Sequence, residues 1–157
     1  MEDKRNQNRG QQKPNQNRDR RNNHNNRDND YDTKVFTTQL VLHEPEKDYQ
    51  TLADHVKNYT HFLVKDKNNK VTTHQLRILF NKAIKQDEPK DVWKLEIDLV
   101  YLAGRNDSNK VFKGLTETLT RLIRGVRDEK TLENFKEFFK MLVAYHKYNE
   151  KFNANKF

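Results

Sequence analysis

Four cations, Lys110, Lys113, Arg121 and Arg124, recur so that on a helix turning ~100° per residue all four fall within about 80° of one another. Val111, Leu115, Leu119, Leu122 and Val126 gather on the opposite side. The apolar side must face a core, so the basic side must face outward. At ~1.5 Å rise per residue the stripe spans about 20 Å, a length suited to neutralising several phosphates of a nucleic-acid backbone and releasing their counterions. Only Glu117 interrupts it, whereas an ordinary solvated face would intersperse more acids. A second outward row is Arg77, Asn81 and Lys85 at i, i+4 and i+8, with Lys82 beside it. A third, Lys136, Lys140 and Lys147, adjoins Glu133 and Glu137 and reads as a solvated surface.

Other chemistry is hard to build from these residues. The chain has no cysteine, which excludes a disulfide scaffold, a thiolate zinc site, an iron–sulfur cluster and a cysteine nucleophile together. There is no phosphate-cradling glycine loop among four glycines, no GxSxG elbow and no HExxH. His55 and His61 are six apart and fall on different faces of a helix, a poor metal pair. His146 lies at the edge of the apolar face formed with Phe139 and Leu142, the place of a packed histidine rather than a catalytic one. Phe80, Phe112, Phe135, Phe138 and Phe139 all sit on apolar faces, so core packing is expected of them rather than base stacking. The residues therefore predict no enzyme, no metal and no cofactor. They describe a rigid basic helical module that touches backbone rather than reading bases.

The elements that must hold such a module follow from composition and periodicity. The 157 residues carry 31 Lys+Arg against 23 Asp+Glu, a net charge of +8, and only 32% are hydrophobic. An ordinary globular domain holds roughly 45–50%. The deficit sits at the start: residues 1–34 contain nine Asn, four Gln and nine Lys or Arg, and their only apolar residues are Met1 and Tyr31. Such a segment cannot bury enough surface to offset ordering entropy, so it is expected to be a disordered arm. Residues 35–47 hold the β-branched run Val35 to Leu42 and then Glu44-Pro45-Glu46, and with no second strand an extended lead-in is expected.

From 48 to 152 the period is helical, followed by a short tail over 153–157. A first helix carries Leu52, Val56, Tyr59 and Leu63 and closes at the polar turn 65–69. Thr72 and Gln75 form a capping-box pattern for a second, with Leu76, Leu79, Phe80 and Ala83 on its apolar face. Asp87-Glu88-Pro89 opens a third, ending near Gly104, whose apolar residues cover most of the circumference and predict a place in the middle of the bundle. The fourth runs from about Ser108 to Val126 and the fifth from about Thr131 to Asn149. The fold class is all-α, a compact five-helix bundle with a disordered N-terminal arm. The longest apolar runs are five residues, too short for a membrane helix, and no signal-peptide core is visible. A cytoplasmic protein without membrane contact is expected.

Three stretches carry a family resemblance. Val71 to Leu79, with Thr72-Thr73 and Leu76-Arg77, resembles a TT-x-x-LR-x-L helix opening. Leu99 to Arg105 resembles a Y-x-AGR helix end, and Leu142 to Tyr148 an L-V-A-Y-x-K-Y C-terminus. In this order and spacing, over about residues 48–152, they resemble the small α-helical subunit of type III-A CRISPR effector (Csm) complexes. The resemblance implies a non-catalytic subunit present in several copies that stacks along the complex and contacts the backbone of crRNA and target RNA. Its implied partners are the repeated crRNA-binding backbone subunit, the large subunit and further copies of itself. Arg77 and Arg105 are the contacts implied by motif position. Arg105, just after Gly104, has a competing role in bonding free helix carbonyls. Two alternatives remain open: a purely protein–protein scaffolding module, and a free-standing helical DNA-binding protein, for which no helix pair with a tight glycine turn is found.

Overall fold

Leu132, Phe135, Phe138, Phe139 and Leu142 recur at helical spacing, and all five are buried along one side of the longest helix, Glu129–Asn153. The computed structural model describes residues 30–153, and all regular structure among the described residues is helical. Residues 1–29 of the expected arm, and 154–157 of the tail, lie outside the described residues. Six α-helices follow in chain order: α1 (Tyr49–Lys65), α2 (Thr73–Ile84), α3 (Pro89–Val92), α4 (Leu95–Arg105), α5 (Lys110–Gly125) and α6 (Glu129–Asn153). α6 packs against α1 and α2, and α4 against α5 and α2. No helix among the described residues is long and apolar enough to cross a membrane.

Local chemistry sets these boundaries. At the start of α2 the Gln75 amide donates to Thr72 Oγ1 at 3.2 Å, and the Thr72 amide donates to Gln75 Oε1 at 2.9 Å, the reciprocal box that the sequence predicts. Asn109 caps α5 by accepting from the Phe112 amide at 3.0 Å. The expected core residues Leu52, Val56, Tyr59 and Leu63 of α1, and Leu115, Leu119 and Leu122 of α5, are buried.

The structure corrects two expectations. The third helix is not continuous, so the bundle has six α-helices rather than five. Between Val92 and Leu95 the backbone tightens into i→i+3 bonds, with the Lys94 amide donating to Asp91 O and the Ile97 amide to Lys94 O, each at 3.1 Å. Nor does this stretch sit in the middle. Val92, Leu95 and Leu99 are buried, but Trp93, Ile97, Val100 and Tyr101 are exposed, because the phenylalanines of α5 and α6 already fill the interior.

The second correction concerns the lead-in, 35–47. It is coiled into helical turns at Thr33–Val35, Gln39–His43 and Pro45–Asp48 instead of being extended. With no strand to pair with, its polar backbone groups are satisfied by tight turns, such as Glu44 N to Gln39 O at 3.0 Å. Other partners reach in from elsewhere: Asn134 Nδ2 donates to Leu42 O at 2.7 Å. Phe36, Val41 and Leu42 are fully buried. The Phe36 ring lies 5.4 Å from Tyr59 and 5.4 Å from Phe138. Even Tyr31, inside the expected arm, packs 5.0 Å from Tyr59. The lead-in lies close against Gly125, where an added Cβ would stand 2.8 Å from Leu42 Cδ1 and push that side chain aside.

Candidate nucleic-acid interface

The loop after α1, the start of α2, the end of α4 and the start of α5 are tied together at one end of the bundle. Gln75 Nε2 donates to Asn106 Oδ1 at 3.4 Å, and Asn109 Nδ2 donates to Lys70 O at 3.0 Å. Each strut has a cation beside it in the chain. Arg77 lies two residues past Gln75, Arg105 immediately before Asn106, and Lys110 immediately after Asn109, with Lys113 one turn further on. All four are exposed, as is Lys70. Spacing within single helices could not have found Lys70, because its neighbours here belong to other elements.

α6 fastens the same end from behind. His146 is buried, its Nε2 2.7 Å from Val71 O and its Nδ1 3.0 Å from Thr73 Oγ1. A carbonyl can only accept, so Nε2 carries a proton. Glu150 competes for the single Thr73 hydroxyl hydrogen, which it also contacts. Burial holds the imidazole pKa below its ordinary value, against the opposing pull of Val71 O and Glu150. His146 is thus a packed histidine, as its place in the sequence predicts.

This lowered pKa fixes the sign of a pH dependence. Between the folded and unfolded pKa values the unfolded chain binds more protons, so stability contributed by the neutral ring is complete above the ordinary histidine value and is lost as pH falls below it. The urea midpoint should therefore drop between about pH 7.5 and pH 5.5, while a His146→Gln variant, weaker throughout, should be flatter across that window. An equal drop in both would show that His146 is not the titrating group.

The remaining predicted cations are engaged within the chain. Lys82 is paired with Asp98 at 2.6 Å, joining α2 to α4. Arg124 forks onto Glu96 at 2.5 and 3.1 Å, joining α5 to α4, and this guanidinium pulls the Glu96 carboxyl below its usual range. Arg121 donates to Phe36 O at 2.8 Å and Thr33 O at 2.9 Å, strapping the lead-in across α5. Lys85 is exposed near the far end of α2, away from the struts. Arg105 lies 5.8 Å from the Tyr101 ring rather than on helix carbonyls. The stripe on α5 is therefore divided: Lys110 and Lys113 are open, whereas Arg121 and Arg124 hold the fold together.

Lys110 and Lys113 also stand where charge opposes the helix. They occupy the first turns of α5, beside the positive end of its dipole, and no acidic residue is present in the first turn. Local stability would favour acids there.

The three stretches singled out in the sequence also meet here. Thr73, from the first, contacts His146, from the third, and Gln75 of the first bonds Asn106, which directly follows the second. The chain matches the model of the family described as Csm2 Type III-A over residues 46–151. It belongs to the Csm2 family. The Csm2 match begins in the last turn of the lead-in and ends within α6, so it covers the bundle and leaves out residues 1–45. Comparison with curated proteins and with solved structures found no match.

Proposed function

We propose that this Csm2-family chain, a subunit of type III-A CRISPR Csm complexes, is a non-catalytic element that binds the backbone of crRNA and target RNA without reading sequence. It would do so through Lys70, Arg77, Arg105, Lys110 and Lys113, with Lys85 at the flank. The observation that carries this reading is the exposed cation group at the strutted end of the bundle, none of it ion-paired among the described residues. The cations stand on four different segments, so hydrogen bonds between those segments fix their mutual positions before any RNA arrives. Preformed positive charge of this kind favours phosphate, and no base-edge contact is needed. Further copies of this chain, the repeated backbone subunit and the large subunit are the proposed neighbours, in a cytoplasmic assembly.

The test is the salt dependence of binding to single-stranded RNA. Four or five phosphate contacts at about −0.7 each give a log–log slope near −3, hence a loss of roughly 50–100-fold in affinity between 50 and 200 mM salt. Unrelated sequences of equal length should bind alike. A flat salt response, or discrimination above about 100-fold between such RNAs, would overturn the reading.

A further inference from the structure

Tyr148 and Phe152 stand one turn apart on the outward side of α6, 54% and 53% exposed, with ring centroids 4.7 Å apart and planes tilted by 42°. Each ring limits the rotation of the other. At ~100° per residue they share about 140° of the helix with Lys147 and Lys151, the rings along one edge and the lysines along the other. The opposite side is pinned. Asn149 Nδ2 donates to Thr60 Oγ1 at 2.8 Å and to Lys57 O at 3.2 Å, and His146 meets Val71 and Thr73. These bonds hold the last turns of α6 in one rotation, so the four outward side chains cannot turn inward. They also set this face beside the strutted end. Lys70, just before Val71, and Lys147, just after His146, both push electrostatically on the His146 ring, which puts Lys147 next to the cation group already described.

We propose that Tyr148 and Phe152 form a platform on which unpaired bases of the bound RNA stack, while Lys147 and Lys151 hold the adjoining phosphates. The inference rests on the RNA reading above and adds a contact to bases that the cation group alone does not supply. Charge selects the occupant. Lys70, Lys147 and Lys151 are exposed and in no ion pair among the described residues, whereas Lys140, two turns earlier on α6, pairs with Glu137 at 3.9 Å. The only acid between Ala144 and Asn153, Glu150, is drawn against the Thr73 hydroxyl. An aromatic pair edged by unmet positive charge matches a strand whose backbone is polyanionic and whose bases have apolar faces. Every base has a π-face, so stacking adds affinity without a sequence requirement, in keeping with the backbone reading. Lys151 Nζ lies 5.6 Å from the Phe152 ring centroid, a contact that leaves its charge unneutralised, so a phosphate can draw it off the ring. The contact between the two rings also orders them before binding, which lowers the cost of stacking a base.

Stacking and charge part company in salt, which makes the test direct. In the full chain, Tyr148→Ala with Phe152→Ala should weaken binding to an oligouridylate of about 20 nucleotides by roughly tenfold at both 50 and 200 mM salt, with the log–log slope unchanged because no counterion release is lost. Helicity should not change, since both sites are exposed. Tyr148→Phe, which keeps a ring, should stay within about twofold of wild type. Lys147→Gln with Lys151→Gln should do the opposite and flatten the slope by up to about 1.4, at −0.7 per phosphate. An abasic strand of the same length tests the wild type itself: it should bind about tenfold more weakly than the oligouridylate, and the double alanine variant should not tell the two apart. Trp93 is the chain's single tryptophan, so Trp93→Phe with Tyr148→Trp moves the reporter onto the platform. Its emission should be quenched by the oligouridylate and not by the abasic strand. Equal wild-type affinity for the two strands, or alanine variants that bind as wild type does, would overturn the platform while leaving a salt-dependent cation group standing. No RNA binding at all would overturn both. Alanine variants that bind RNA normally yet fail to join the complex would make the pair a protein-docking surface instead.

Discussion

Phe36→Ala should lower the unfolding free energy by about 3–5 kcal/mol, the range for truncating a fully buried aromatic side chain. The ring is buried between α1 and α6, touching Tyr59, Phe138 and, edge-on at 6.2 Å, His55. The void left behind would be walled by helices held elsewhere, so it cannot collapse easily. The loss also reaches the backbone, because the Phe36 carbonyl is one of two held by the Arg121 fork. Against a typical total of 5–15 kcal/mol, the variant should be marginal at 25 °C. Phe152→Ala, at an exposed site on the last turn of α6, should shift stability by about 0.5 kcal/mol or less and serves as the control. Urea denaturation followed by far-UV circular dichroism distinguishes them. A loss under about 1 kcal/mol for Phe36→Ala would mean that the lead-in is an appendage rather than part of the core. Arg121→Ala should fall between the two, since it leaves two carbonyls to water rather than opening a cavity.

This weight on residues 31–44 was hidden in the sequence, and the reason is physical. Val35 to Leu42 is β-branched and short, and such propensity states a fit to a pleated surface, not a backbone preference that survives without a neighbouring strand. What decides its conformation is the pocket for Phe36, built from residues some 20 and 100 positions away. By contrast α1, α2, α5 and α6 were legible because their apolar periodicity and caps are local facts: Thr72 and Gln75 bond each other across three residues. α4 shows where periodicity misleads. Apolar residues over most of the circumference predict central burial, yet periodicity counts side chains and cannot count the neighbours available to cover them. Trp93, Ile97, Val100 and Tyr101 remain exposed. The basic stripe was legible as a stripe but not as a division of labour. Glu96 is 28 residues from Arg124, and Thr33 is 88 from Arg121. Nothing local marks those two arginines as engaged and Lys110 and Lys113 as open.

That division leads to the sharpest separation between folding and binding. Lys110→Glu with Lys113→Glu should raise stability by a few tenths of a kcal/mol, because acids in the first turns of α5 complement the helix dipole where lysines oppose it. The same variant should weaken RNA binding on the order of 100-fold at about 50 mM salt, as two phosphate attractions become repulsions along a polyanion. The deficit should shrink as salt rises and screening shortens. Arg124→Gln makes the converse comparison: its charge is already met by Glu96, so its removal should change RNA affinity by only a few-fold. Glu96→Gln with Asp98→Asn completes the set by releasing Arg124 and Lys82 from their carboxylates. If the two freed side chains lie within reach of the bound strand, affinity should rise and the salt slope should steepen by about 0.7 for each new contact. If the Lys110/Lys113 reversal instead leaves RNA affinity intact while the chain fails to join its complex, the lysines at the start of α5 meet an acidic protein surface, and the scaffolding reading replaces the RNA one.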